Sequence, residues 1–565
     1  MSTLSQSTAA RLLGAALLVA PWAAARAQVC DTVSSRTSLA ALSGRPIAAV
    51  HVVTADPDPL PGPAAHLGVL HVRTRPSTVR RELLVAAGDT VDTLRVAESL
   101  RRLRALNLLA DAEIRAPDCG GPVELTVTTQ DLWSTKPNVQ VRSSSAALEL
   151  RERNLLGRGR EAALSLRSDR GRVGVGALLR DPAAFGGRTL LSLSASRYGD
   201  GGEWSATLAR RERSVIDPWR YELFVAQSSY TPVVSVAQAG VPTTAPAIGE
   251  RFRRARAGVL LEHRVGLSER ATTSLQGGVE YEHAGLVAAA DLPRLGPGAV
   301  RRELAALDVG VRQRSVAFDT LTWLLPADAL VDVPLALEYD ALVGLGRETA
   351  AGTPVAHVDL WGGRIWRPDP RSLLVTDLWA SGYRTPGDWS AGVLRGSAAY
   401  YRAAPRGLWL TRLAVERLFD PDPDFRAMVT ADPTAAALPS RASLAQAVVG
   451  LSVEREVRLH AITRSWTLDG AAFMAASTRW DPAIAPGVDV AAFSRDALGE
   501  LERLDVGMVG LGLRLAPTRL GRATARLDVG YPVIRSAGLR TGPVVALSIT
   551  PWLEQGRHRD GHGEP

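Results

Sequence analysis

Lysine is nearly absent from this sequence. Lys136 is the only one, so the basic charge is almost entirely arginine. The arginines are spread along the chain rather than gathered into one stripe. The net charge of +8 therefore reads as a compositional preference, not as a nucleic-acid surface. Cysteine is nearly absent too, limited to Cys30 and Cys119. The nine histidines show no zinc spacing. His357 and Asp359 share one strand face, but no further ligand accompanies them. No Gly-x-Ser-x-Gly elbow and no nucleophile with a local base is found, so neither an enzyme nor a cofactor is expected. Gly157-Arg158-Gly159 and Gly510-Leu511-Gly512 precede no helix and are not nucleotide loops. Beyond the N-terminus no apolar run approaches ~18 residues, which excludes a helical membrane protein.

What is present begins with an export signal. Arg11 supplies the positive region, Leu12 to Ala20 the short apolar core, and Ala25-Arg26-Ala27 the small-x-small site, so cleavage is expected after Ala27. No lipobox precedes Cys30. In the oxidising compartment this signal leads to, Cys30 and Cys119 can form a disulfide; the alternative is two unpaired thiols. After an N-terminal segment (28–43), the stretch 44–135 reads as a compact α+β module. Strand Pro46–Thr54 comes first. Pro76 opens one helix, and Asp92 caps a second that runs to Leu106 with Leu94, Ala97, Leu100, Leu103 and Leu106 on one face. Strands 110–115 and 122–129 complete the order β-α-α-β-β.

From 136 to 552 helical periodicity gives way to period-two segments. Leu191, Leu193 and Ala195 alternate with serines; Ala523, Ala525, Leu527, Val529 and Tyr531 alternate with Thr524, Arg526, Asp528 and Gly530. A bilayer cannot hydrogen-bond an open sheet edge, so such a sheet must close on itself, apolar outside and polar inside. The fold class is therefore mainly β: a transmembrane antiparallel barrel behind one small α+β domain. Stretches 232–250, 285–300, 420–445 and 478–500 read as outward loops, and 553–565 as a polar tail. Arg441, Glu454, Arg526 and Asp528 are the polar groups expected in the lumen, where an arginine meeting carboxylates could lock a loop; solvated wall residues are the alternative.

Four motifs carry a family likeness. They are Arg73–Leu83 with Gly88-Asp89-Thr90-Val91 and Glu98–Leu103; Arg153-Asn154-Leu155-Leu156-Gly157-Arg158-Gly159; Gly510-Leu511-Gly512-Leu513-Arg514; and Leu527–Pro532. In order and spacing the chain resembles the BamA/TamA superfamily of outer-membrane assembly factors, barrels of surface-antigen type preceded by periplasmic POTRA modules. The resemblance implies about sixteen strands, one POTRA domain, and Asn154, Gly157, Gly159, Gly510, Gly512 and Arg514 as family-motif positions. It implies assembly, insertion or translocation of outer-membrane proteins at a seam between the first strand (139–151) and the last (541–552), which could template a client strand. Implied partners are outer-membrane lipids, unfolded outer-membrane or secreted clients, and periplasmic chaperones or accessory proteins, with no nucleic acid. The family's inward loop, tipped by Arg-Gly-aromatic, has only a displaced Arg441 here. Leu394-Arg395-Gly396-Ser397 fits the letters but lies in a strand-like run. A diffusion channel or scaffold is the competing function, and an outer-membrane lipase the third.

Overall fold

A computed structural model describes residues 31–34, 39–57, 71–106, 108–118, 121–142 and 145–551, leaving out 170–171, 188, 200, 211–213, 231–232, 239–240, 247–250, 288–300, 325–330, 350–351, 388, 420–446, 464–465, 481–505, 518–522 and 536–542. The signal segment, Cys30, Cys119, Arg441 and the C-terminal tail lie outside the described residues.

The small domain contains β1 (Asp31–Ser34), β2 (Ile47–Ala55), α1 (Pro76–Glu82), α2 (Thr93–Ala105), β3 (Leu109–Asp118) and β4 (Val123–Asp131). This is the predicted β-α-α-β-β order with β1 added inside the N-terminal segment (28–43). Pro76 at the first helical position starts α1. The Asp92 side chain accepts from Leu94 N (2.9 Å) and Arg95 N (3.2 Å) and so caps α2. The sheet order is β1-β3-β4-β2, with β2 parallel to β4. Val79, Val96, Leu100 and Leu103 pack over Ile47, Ile114, Leu125 and Val127. Leu94 and Ala97, expected on this face, lie outside the core cluster, the first half-exposed and the second exposed.

Twenty strands follow in one antiparallel ring. They are β5 (Thr135–Arg142), β6 (Ser145–Leu155), β7 (Arg160–Asp169), β8 (Arg172–Ala184), β9 (Thr189–Tyr198), β10 (Gly201–Arg210) and β11 (Trp219–Tyr230). A separate outer hairpin, β12 (Val233–Gln238) and β13 (Val241–Pro246), precedes β14 (Arg251–Leu267), β15 (Ala271–Val287) and β16 (Arg301–Ser315). A second separate hairpin, β17 (Phe318–Leu321) and β18 (Val331–Pro334), precedes β19 (Glu338–Glu348), β20 (Pro354–Trp366), β21 (Ser372–Arg384), β22 (Trp389–Ala404) and β23 (Gly407–Phe419). The last five are β24 (Ala447–Thr463), β25 (Trp466–Trp480), β26 (Val506–Pro517), β27 (Ala523–Arg535) and β28 (Val544–Pro551). The ring closes where Leu547 meets Val141 and Ser548 meets Gln140.

Among the described residues twenty strands pair in the ring, where the resemblance implied about sixteen. The first strand, expected over 139–151, is the end of β5 and the beginning of β6. The cause is that only two residues separate β5 from β6, so no loop-length stretch marks where one strand ends and the next begins. The same holds across 405–406 between β22 and β23. The last strand, expected over 541–552, is Val544–Pro551.

The barrel's polarity is inverted relative to a water-soluble fold. Its exposed side chains are apolar, with Leu307 60%, Leu345 62% and Leu511 69% exposed. Its buried wall is charged: Glu262, Glu282, Asp308, Asp340, Glu454 and Arg514. Such an apolar exterior is stable only against lipid. Outward aromatics gather at both ends: Trp219, Trp366 and Trp409 on the end nearest the small domain, Trp204, Trp389 and Phe419 on the other. Arg364, Arg455, Arg384 and Arg417 lie over Trp366, Trp409, Trp389 and Phe419 respectively. Trp409 and Phe419 are ten residues apart on β23. At about 3.3 Å per residue and a tilt of about 40°, that separates the girdles by about 25 Å, the height of a bilayer's apolar band.

Candidate functional site

Two regions bring motif residues together. The first joins the small domain to the inner rim of the barrel, the end at which β5 begins. The β6–β7 turn at 156–159 is built on positive φ at Leu156 (59°), Gly157 (71°) and Gly159 (67°). Asn154, 1% exposed, braces it by accepting from Gly159 N (2.9 Å). The same side chain donates to Val72 O (2.7 Å) and Thr74 Oγ1 (2.9 Å), on the stretch leading into α1. Gly157 O accepts from Arg75 N (3.0 Å) and Thr78 Oγ1 (2.8 Å). A Cβ on Gly157 would stand 2.5 Å from Arg73 O, so only glycine allows this approach. The Asn-Leu-Leu-Gly-Arg-Gly motif is thus a docking knob for the small domain. A second contact lies at the β10–β11 connection, where Glu98 of α2 accepts from Ser214 Oγ and Val215 N, both at 3.1 Å.

The second region is a charged cluster on the lumenal wall of β24, β26 and β27. Period two places Glu454 and Glu456 on one face of β24, Gly510, Gly512 and Arg514 on one face of β26, and Arg526 and Asp528 on one face of β27. Arg514, 1% exposed, is the hub. It donates to Glu454 Oε1 through Nη2 (2.7 Å) and Nε (3.1 Å), to Asp528 through Nη1, and lies 3.7 Å from Glu456. Arg526 donates to Glu454 Oε2 (3.0 Å) and lies 3.7 Å from Asp528.

Strands are about 4.8 Å apart, so Arg526 and Glu454, on β27 and β24, start about 14 Å apart along the wall. They meet because the positions between them are small. Glu456 registers with Ala471, then Gly512, then Asp528. A Cβ on Gly512 would collide with Asp528 Oδ1 and Arg514 Nη1, and one on Gly510 with the Phe473 ring. These glycines make the shelf on which the arginine lies. Two guanidinium groups face three carboxylates here, and both come from the wall itself. Arg412 stands opposite Ser452, one lumenal position from the pair Leu410–Glu454.

Of the expected lumenal groups, Glu454, Arg526 and Asp528 thus share one cluster. Arg441 lies outside the described residues. Arg395, in the run that fits the family loop's letters, is a strand residue of β22 bonded to Glu416 of β23 (2.8 Å). Sequence reasoning missed Arg514 as the hub, and Glu456. Both were findable, because Arg514 extends the Gly510-Gly512 face by one period and Glu456 the Glu454 face. His357 stacks on Tyr383 (5.1 Å between centroids), and Asp359 accepts from Trp379 Nε1 (3.0 Å). Among the described residues no group of three or more His, Cys, Asp or Glu could hold a metal.

No family model matches the chain, and no curated protein matches it. Similar solved structures include CdiB from Acinetobacter baumannii, at 13% identity over 92% of this chain and 77% of that one, with a TM-score of 0.37. BamA from Haemophilus ducreyi lacking POTRA domains 1–3 is similar at 12% identity over 89% and 85%, with a TM-score of 0.33. The FrpB iron transporter from Neisseria meningitidis is similar at 8% identity over 90% and 94%, with a TM-score of 0.36. With every TM-score below 0.5, the architecture rests on the chain's own strand pairing.

Proposed function

We propose that the protein is an outer-membrane β-barrel of the translocation or assembly type, with its small domain, POTRA-like in element order, on the periplasmic side. Its substrates would be unfolded outer-membrane or secreted chains. The observation that carries this reading is the seam. Among the described residues β28 and β5 share two residue pairs, whereas every other neighbouring pair in the ring shares at least eight, as β5 and β6 do. Beyond those two pairs no ladder pairing joins β28 to β5 among the described residues, and such a seam is an edge that a client strand can extend. A diffusion channel or scaffold is the second reading. It is favoured by Arg514 and Arg526, which occupy from the wall the carboxylates that the family's inward loop arginine would take.

Locking the seam separates the two. Replacing Val141 and Leu547, which are register partners, by cysteines should allow a disulfide across the closure. Assembly of other barrels in reconstituted vesicles is expected to stop on oxidation and return on reduction. Unchanged assembly with the seam verified as locked would remove the assembly reading and leave the channel. The Cys30–Cys119 disulfide belongs to the same proposal of an oxidising location. Each cysteine lies one residue beyond the described pair Asp31–Asp118.

A further inference from the structure

We propose that the β17–β18 hairpin is a plug seated in the inner mouth of the lumen and latched there by α2 of the small domain. The inference rests on the barrel reading above and adds how its lumen is controlled.

Inner turns of such barrels are short. The β22–β23 and β6–β7 turns here are 405–406 and 156–159, but the β16–β19 connection runs over 316–337. Its hairpin is not part of the ring. Strand direction puts it on the same end as the small domain. Instead of hanging free there, it folds inward. Leu321, Leu324, Val331 and Val333 are all at most 3% exposed. They pack on Leu373 and Val375 of β21, Ala399 and Tyr401 of β22, and Leu408 and Leu410 of β23.

Those six wall residues face the lumen. Leu378 and Trp409, of opposite parity on their strands, are outward and exposed. Further along the same faces the wall turns polar, with Asp377, Ser397 and Arg412. At its inner end the lumen therefore carries an apolar patch, and the hairpin covers it. Uncovered, that patch would meet water. This burial selects the seated position.

Two sets of contacts hold the hairpin. On the barrel side, Arg367 in the β20–β21 turn pairs with Asp319. On the domain side, Arg104 Nη1 lies 3.3 Å from Asp332 Oδ1, and the Arg101 guanidinium lies 4.8 Å over the Phe318 ring. Glu98, one turn before Arg101 on α2, binds both Arg101 (2.6 Å) and the β10–β11 connection. One helix therefore touches the plug and the rim together. A displacement of the small domain breaks the Arg104 and Arg101 contacts and frees the hairpin to leave its seat.

The test is single-channel conductance of the full chain in planar bilayers. Wild type is expected to conduct well below the bore of an open twenty-strand ring. In Leu321→Asp/Val333→Asp, charge on the apolar seat ejects the plug. Conductance then rises about three-fold or more, because it follows open cross-section. Arg104→Ala/Phe318→Ala leaves the seat intact and is expected to flicker more often to that same high level. Barrel integrity is read in parallel from the heat-dependent gel shift of each variant. Intact barrels whose conductance the substitutions leave unchanged would overturn the plug while sparing the barrel reading. A wild type already at full bore would do the same. A chain that enters no bilayer, wild type included, would overturn both.

Discussion

Arg514→Ala is expected to lower barrel stability by about 3–5 kcal/mol, the cost of leaving buried charge without its partner. Glu454, 5% exposed, would keep its hydrogen bonds from Arg526 but lose those from Arg514, while Glu456 would lose a guanidinium 3.7 Å away. Asp528 would lose its direct bond to Arg514. Arg514→Lys retains the charge but cannot reach Glu454 and Asp528 with separate arms of one planar group, so it should recover only part of the loss. The guanidinium-chloride midpoint of the barrel in lipid vesicles reads both variants. A midpoint unchanged in Arg514→Ala would mean that the cluster is a solvated surface and not a lock between strands.

Gly157→Val is expected to undock the small domain from the rim. Gly157 sits at φ +71°, which costs an L-residue about 1–2 kcal/mol, and more when branched at Cβ. The larger effect is steric, because the new Cβ falls 2.5 Å from Arg73 O, and the carbonyl belongs to backbone that cannot swing aside. The bonds from Arg75 and Thr78 to Gly157 would go together. Gly159 supplies an internal comparison. A Cβ there meets side chains, Leu108 Cδ2 at 3.2 Å and Thr78 Cγ2 at 3.4 Å, which can yield. Limited trypsin digestion in membranes should release the small domain from Gly157→Val much faster than from Gly159→Ala or wild type. Equal rates in all three would show that the motif shapes a turn without docking anything.

Much of this architecture is legible in the sequence, and the failures have particular causes. The two helices of the small domain were readable because Pro76 and Asp92 mark their beginnings. The extra strand β1 was not, because four residues carry too little alternation to separate from coil. Membrane strands were detectable as a class because lipid and lumen impose period two. Their number was obscured because two-residue connections such as 405–406 leave no loop-length stretch to mark a strand boundary. The lumenal cluster was half legible. Parity puts Glu454, Arg526 and Asp528 inside, but only the glycine shelf at Gly510 and Gly512 explains how groups three strands apart come together. The hairpin was hidden for another reason. Leu321, Val331 and Val333 read as ordinary strand residues, and nothing local tells that Leu373, Tyr401 and Leu408 form their seat.

Among the described residues the ring has one weak joint, between β28 and β5. Amide hydrogen exchange of the full chain in lipid bilayers tests it directly. Amides of 135–142 and 544–551 should exchange well ahead of those in β14 and β15, whose pairing runs from Arg251–Val287 to Leu267–Thr272. Protection at the seam equal to that of β14 and β15 would mean that the ring is closed evenly and has no weak joint.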